Sequence, residues 1–213
     1  MIQEKLNNIK KQVSENVTVV AVSKTKPEIS IMDAYKSGHL DFGENKVQEL
    51  CKKYENLPKN IRWHMIGHLQ RNKVKFIAPF IYLIHGVDSI RLLNEINKQA
   101  KKCNREIDIL LQIHIAQELT KYGFSYEEAK EILVEDNKFE NVRIKGFMGM
   151  ATFTNNTNQI ISEFNQLNHF YNQWKDEKYL TTLSMGMSND YNIAIGQGSN
   201  MIRIGSLIFG SRS

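Results

Sequence analysis

Strand-like and helical segments alternate along the whole chain of 213 residues, and this alternation limits the possible folds more than any other feature. Runs of apolar and β-branched residues predict eight strands. They are 17–24, 40–43, 61–67, 80–87, 107–115, 142–150, 181–187 and 201–205. Eight β/α units in one unbroken run predict a (β/α)8 TIM barrel of the α/β class. We therefore expect residues 1–213 to form a single domain.

Helical patterns lie between the predicted strands. The predicted helices are an amphipathic one at the N-terminus and those at 28–37, 89–103, 126–137 and 157–177. Pro27 and Gly38 flank the first internal helix, and Ser125 with Glu128 makes a capping box before a later one. An open doubly wound sheet is the alternative architecture. Its dinucleotide-binding form is disfavoured because no GxGxxG follows the first strand.

Composition limits the class of partner. The net charge is +5, from 28 basic and 23 acidic residues, which fits a small phosphorylated ligand. The lysines are scattered, and pairs such as Lys52-Lys53 are expected on solvated helix faces, so we expect no nucleic acid. The longest apolar stretch, 77–87, contains Pro79 and His85 and is too short to cross a bilayer, so we expect no membrane.

The two cysteines and the N-terminal segment indicate the cellular compartment of the protein. Cys51 and Cys103 are far apart and show no metal-ligand spacing. They are most simply free thiols of a reducing compartment. The N-terminal segment has no secretory apolar region. We therefore expect a cytoplasmic protein without a metal.

The first predicted strand ends in a candidate nucleophile. Residues 17–25 read VTVVAVSKT, and strand alternation places Lys24 on the same side as Val20 and Val22. Apolar surroundings disfavour an ammonium ion, so the amine can attack an aldehyde and form a Schiff base. The alternative is a lysine that extends from a strand end into solvent.

The last predicted strand carries a candidate ligand for a ring. In residues 201–205, MIRIG, Ile202 and Ile204 share the face toward the helices, so Arg203 points into the barrel. A buried guanidinium needs an acceptor. A ligand ring nitrogen or a carboxylate would serve, and pairing with an Asp or Glu of the protein is the alternative.

The loops after strands seven and eight commonly hold a phosphate in this fold. Gly205-Ser206 starts a short helical segment, whose N–H groups would point above the barrel. Ser184 and Ser188 offer hydroxyl groups from the neighbouring loop. Ser188 is alternatively an ordinary N-cap. Of the weaker candidates, His64 more commonly packs in a core and Asn45 more commonly caps a helix, and His85 has the same ordinary interpretation as His64.

Five blocks of the sequence resemble the pyridoxal phosphate homeostasis protein family, and they occur in the order of that family. The blocks are VAVSKTKP at 20–27, FGENKVQEL at 42–50, WHMIGHLQRNK at 63–73, LSMGMSND at 183–190 and RIGSLIFGSR at 203–212. The resemblance implies a barrel like the N-terminal domain of alanine racemase, which is fold type III of the proteins that bind pyridoxal 5'-phosphate (PLP). It also implies PLP held as a covalent internal aldimine on Lys24.

The same resemblance assigns the other site residues. Arg203 would face the pyridine nitrogen, and Asn45, His64 and Met185 would belong to the site, the first two near the ring. The residues implied around the phosphate are Ser184, Ser188, Gly205 and Ser206. Lys46 departs from the family, which often has tyrosine there, so we assign it no role. We also assign none to 148–158.

The resemblance implies a non-catalytic PLP-binding protein in the intracellular homeostasis of vitamin B6 and amino acids. An arginine at the pyridine nitrogen keeps that nitrogen unprotonated and makes the ring a poorer electron sink. The chain ends at Ser213, so we expect no second domain to supply the opposing acid of a racemase. We expect a monomer, with PLP-dependent apoenzymes as recipients. A small PLP-dependent enzyme such as an amino-acid racemase, and a barrel that binds another phosphate without covalent chemistry, are the alternatives.

Overall fold

The computed structural model of the protein describes residues 1–118 and 122–210. Eight parallel strands close into a barrel in chain order, and β1 pairs with β8. The strands are β1 (Thr18–Val22), β2 (Asp41–Glu44), β3 (Arg62–Met65), β4 (Leu83–Val87), β5 (Ile107–Gln112), β6 (Val142–Met148), β7 (Thr182–Met187) and β8 (Met201–Ile204). The predicted (β/α)8 fold is therefore confirmed, and the open sheet is wrong.

Helices connect the strands and cover the outside of the barrel. They are α1 (Ile2–Gln12), α2 (Glu28–Tyr35), α3 (Val47–Asn56), α4 (Val74–Ile77), α5 (Ile90–Lys102), α6 (Tyr126–Val134), α7 (Thr157–Trp174), α8 (Tyr191–Gly196) and α9 (Ser206–Phe209). The predicted capping box is present, because the Glu128 N–H donates to the Ser125 hydroxyl and the Ser125 N–H donates to the Glu128 carboxylate. Within the described ranges, no helix is long and apolar enough to cross a membrane.

Some strands are shorter than predicted because apolar residues counted with a strand belong to the end of the preceding helix. The segment predicted as strand 80–87 shows this, since β4 begins only at Leu83. The N–H groups of Phe80 and Ile81 donate to the Ile77 carbonyl and end α4. Ile81 belongs to the core between the sheet and the helices and Phe80 packs against it, and apolar character alone does not distinguish such residues from a strand.

Strand alternation divides the apolar residues into two clusters. The larger cluster lies between the sheet and the helices and includes Ile202 and Ile204 of β8. The smaller cluster fills the barrel interior, and its members are Val20, Leu83, Leu110, Met148 and Met201. Each of these residues comes from a different strand, so the cluster forms only when the five strands are assembled in the barrel. This arrangement leaves the carboxyl ends of the strands free to build a site.

Stability should fall between pH 7 and pH 4, in part through His39. This side chain is 3% exposed, and burial lowers its pKa from 6.5 to about 4. Below pH 6.5 the unfolded chain protonates this imidazole while the folded chain does not, so folding loses about 3 kcal/mol by pH 4. We expect His39→Gln to flatten the fall in unfolding free energy, measured by denaturant titration across this range. The exposed His169→Gln is the control, and an unchanged slope in His39→Gln would contradict the assignment.

Candidate functional site

A cavity of about 880 Å³ opens at the carboxyl ends of the strands. The segments after β1, β2, β3, β6, β7 and β8 line it. Six of the nine residues predicted from the sequence line it, namely Lys24, Asn45, Ser188, Arg203, Gly205 and Ser206. The fold thus brings most of the predicted site residues to one place.

Lys24 follows β1 in a turn with an unusual backbone. The next residue, Thr25, has φ 63°, a left-handed conformation that a β-branched residue rarely adopts. The Thr25 N–H donates to Glu49 Oε1 at 2.7 Å, and the Lys26 N–H donates to the Ser23 carbonyl at 3.0 Å. Backbone strain of this kind persists only where the surroundings hold it. These bonds keep Lys24 half-buried at the cavity wall.

A buried ion cluster lies beneath this turn. Lys53, in α3, is 4% exposed, and its ammonium donates to the Ser23 carbonyl at 2.8 Å, to Glu44 Oε1 at 2.8 Å and to Glu49 Oε1 at 2.7 Å. The Ser23 hydroxyl also donates to Glu44 Oε1 at 2.6 Å. Burial raises the pKa of Glu44, although Lys53 and Ser23 favour its ionised form. One ammonium therefore joins the end of β1 to β2 and α3.

Arg203 points into the barrel, as predicted, and is 4% exposed. Its Nη1 donates to the Ser184 carbonyl at 2.9 Å and to the Ser184 hydroxyl at 2.7 Å, and its Nη2 donates to the Gly149 carbonyl at 3.1 Å. These acceptors are neutral, so the expected alternative of a carboxylate partner does not describe this side chain. Burial lowers the pKa of Arg203 to about 10, against the attraction of Asp190. Three of the five guanidinium N–H groups are used by these bonds.

The loops after β7 and β8 meet at one side of the cavity. The Gly205 N–H donates to the Ser188 hydroxyl at 3.4 Å. Ser188 is not the N-cap of α8, because Asp190 occupies that position and accepts the Met187 N–H at 2.6 Å. The Ser206 N–H begins a helical turn and has no acceptor inside it. This side of the cavity therefore presents hydroxyl and N–H donors together.

The sequence shows which family this chain belongs to. The family described as "Alanine racemase, N-terminal domain" matches residues 1–213. The chain is 38% identical over 197 residues to the pyridoxal phosphate homeostasis protein of Aquifex aeolicus, covering 91% of this chain and 86% of that protein. It is 33% identical over 222 residues to the protein of that name from Haemophilus influenzae, covering 100% and 94%. The chain belongs to the pyridoxal phosphate homeostasis protein family.

Solved structures agree with this family assignment. PipY of Synechococcus elongatus PCC7942 with PLP bound has a TM-score of 0.89 and 31% identity, covering 99% of this chain and 100% of that one. The same protein without PLP has a TM-score of 0.93. An alanine racemase of Clostridium difficile 630 has a TM-score of 0.79 at 16% identity, covering 99% of this chain and 56% of that one. This last likeness supports the alanine racemase-like fold alone.

Three predicted site residues of this family member lie outside the cavity lining. Ser184 and His64 are fully buried and hydrogen bonded within the barrel interior. Met185 is also fully buried, in the core between the sheet and the helices. Met187 lies at the cavity instead. The pairing of β7 with β8 shifts register between Ser184 and Met187, and such an irregularity redirects the side chains that follow it.

Sequence reasoning missed the loop after β6 and the buried lysine. Residues 150–155 line the cavity, although we assigned no role to 148–158. The signal was available, because every strand of a barrel directs its carboxyl end to the same face. Lys53 was expected on a solvated helix face. It lies on the buried face of α3 with Val47 and Leu50, and its three-residue spacing from Leu50 was the available signal.

Proposed function

We propose that this protein binds PLP through a covalent bond to Lys24 and takes part in PLP homeostasis without catalysing a reaction. The observation that carries the proposal is that Lys24 and Arg203, from strands paired edge to edge, line one cavity with the hydroxyl and N–H donors of the last two loops. Relatives of this chain are named for PLP homeostasis, and one similar structure contains PLP.

The chemistry of the lining residues fits the three functional groups of PLP. The Lys24 amine would supply the nucleophile for the aldehyde carbon, and the oxygen of the aldehyde would leave as water with the two amine hydrogens as the C=N bond forms. Arg203 has N–H groups left to donate to the pyridine nitrogen. A guanidinium with a pKa of about 10 keeps its protons at neutral pH, so that nitrogen stays unprotonated. Ser188, Ser206 and the positive charge of Lys26 suit the phosphate.

The same residues favour binding over turnover. An unprotonated pyridine nitrogen makes the ring a weak electron sink. Racemisation needs two acid/base groups on opposite sides of the substrate carbon. Of the described residues that line the cavity, none is a tyrosine, histidine or cysteine, and the carboxylate among them, Asp190, accepts the Met187 N–H beside the proposed phosphate contacts. This supports a protein that holds PLP and passes it on, with PLP-dependent apoenzymes as recipients. We further propose a cytoplasmic monomer, and the two free cysteines suit a reducing compartment.

A PLP titration tests the proposal. The purified protein should gain a visible absorbance band at saturating PLP, since imine formation extends the conjugation of the ring. Borohydride reduction followed by peptide mass spectrometry should place a phosphopyridoxyl group on Lys24. Pyridoxal, which lacks the phosphate, should bind more weakly than PLP. A protein without a visible band, or with its adduct only on other lysines, would contradict the proposal, and α-proton exchange of an amino acid in deuterated water would contradict its non-catalytic part.

A further inference from the structure

A chain of buried polar side chains crosses the barrel interior and ends at Arg203. Asp41 Oδ1 lies 3.1 Å from His64 Nε2, and His64 Nδ1 lies 2.9 Å from His85 Nε2. His85 Nδ1 lies 3.2 Å from the Ser184 hydroxyl, which also accepts from Arg203 Nη1 at 2.7 Å. These residues come from β2, β3, β4, β7 and β8. The chain therefore connects the amino-terminal end of the barrel to the cavity at its carboxyl end.

The chemistry of the end residues, together with two neutral imidazoles, fixes the direction of every hydrogen bond. An arginine only donates, and an ionised aspartate only accepts. Arg203 therefore donates to the Ser184 hydroxyl, which donates to His85, which donates to His64, which donates to Asp41. Each neutral imidazole then carries its proton on Nε2. Burial lowers the pKa of both His64 and His85, in agreement with this state.

The negative charge of Asp41 is stabilised by a partly exposed arginine, Arg62. Burial alone would raise the pKa of Asp41, but His64 and Arg62 keep it below its ordinary value. Arg62 donates to the other carboxylate oxygen of Asp41, and its side chain is 43% exposed. Asp41 thus remains an anion, and the two imidazoles and the hydroxyl that follow it are each oriented in turn.

The geometry points to Asp41, His64, His85 and Ser184 as positioning residues for the cofactor ring, acting through Arg203 without touching the cofactor. Their role rests on the proposed function. None of the four lines the cavity, and buried polar groups are costly unless they are fully paired. Because the Ser184 hydrogen is committed to His85, its lone pairs face the guanidinium. Arg203 therefore keeps one rotation and directs its remaining N–H groups at the cavity.

Two substitutions alter these hydrogen bonds without changing a residue that lines the cavity. Asp41→Asn keeps the volume and the acceptor for His64 but removes the charge. His85→Asn keeps an acceptor for Ser184 but loses the bond to His64. We expect both variants to shift the wavelength of the visible PLP band. We also expect His85→Asn to bind PLP about tenfold more weakly, by analogy with the loss of a residue that orients a metal ligand.

Asp108→Asn is the matched control. Asp108 lies near the start of β5 and pairs with Arg143 of β6 at 2.6 Å, as Asp41 pairs with Arg62. Asp108 is not a member of the hydrogen-bonded series from Asp41 to Arg203. Its spectrum and PLP affinity should match the wild type. Because asparagine has nearly the same shape as aspartate, Asp41→Asn tests the positioning role even if His85→Asn does not fold. A wild-type band that is identical in Asp41→Asn and every folded variant would overturn this inference alone. A wild type without a band would overturn the proposed function as well.

Discussion

Lys24→Ala is expected to abolish the visible absorbance band of the protein with PLP and to leave no borohydride-stable adduct at this position. The physical reason is that alanine has no amine to form the imine. Arg203 and the donors of the last two loops still line the cavity, so PLP should bind only non-covalently. We expect affinity to fall by at least about 100-fold, which corresponds to about 2.7 kcal/mol. Equilibrium dialysis with absorbance spectroscopy measures both effects.

Lys46→Ala is the matched control for Lys24. Lys46 lies beside Asn45 but is exposed and does not line the cavity. Its removal takes away one positive charge near the site without removing a proposed contact with PLP. The band and the adduct on Lys24 should persist in this variant. A visible band of wild-type intensity in Lys24→Ala would show that the covalent bond forms at another lysine.

Lys53→Met is expected to destabilise the fold by about 3–5 kcal/mol, because it leaves the buried Glu44 carboxylate without its cation. Glu44 is fully buried, and its Oε1 would keep only the Ser23 hydroxyl. For a chain of this size the loss corresponds to a fall of roughly 10 °C in the unfolding midpoint. Because Lys53 also holds the Ser23 carbonyl, PLP affinity should fall too. Thermal unfolding and PLP titration measure the two effects.

Lys52→Met is the control for this prediction. Lys52 is the preceding residue of α3 and is exposed. Surface substitutions typically change stability by less than about 0.5 kcal/mol. Equal unfolding midpoints for Lys52→Met and Lys53→Met would mean that the buried cluster does not stabilise the fold. A destabilised Lys53→Met with unchanged PLP affinity would separate the stability of the fold from the position of Lys24.

The sequence predicted those features that depend on local periodicity. Each strand of a parallel barrel is buried on both sides, so its apolar run is visible without a structure. Alternation within single strands placed Lys24 and Arg203 on the interior side, and the cavity contains both. The same alternation turns Met185 away from the interior, because its neighbour Ser184 faces inward, whereas the register shift of β7 before Met187 brings that residue to the cavity. A shift of this kind depends on how two strands pair, and neither strand carries that information alone.

Contacts between side chains of different strands inside the barrel could not be predicted from local sequence patterns. His85 had only the ordinary interpretation of a core histidine, yet it contacts Ser184, which is 99 residues further along the chain. Ser184 was expected at the phosphate as a hydroxyl of the loop after strand seven, an assignment that the family resemblance implied. Its hydroxyl instead serves Arg203 and His85. Spacing along one strand cannot show which residues of β4 and β7 face each other.

The sequence by itself determined the barrel, the order of its strands and the two residues, Lys24 and Arg203, at the centre of the proposed site. Strand periodicity and the polar residues at strand ends carry that information. Only the tertiary structure decided how those two residues are held, through Lys53 beneath one and the chain from Asp41 behind the other. The reason is physical: a buried charge must find its partners in space, and closing the barrel brings those partners together from distant parts of the chain.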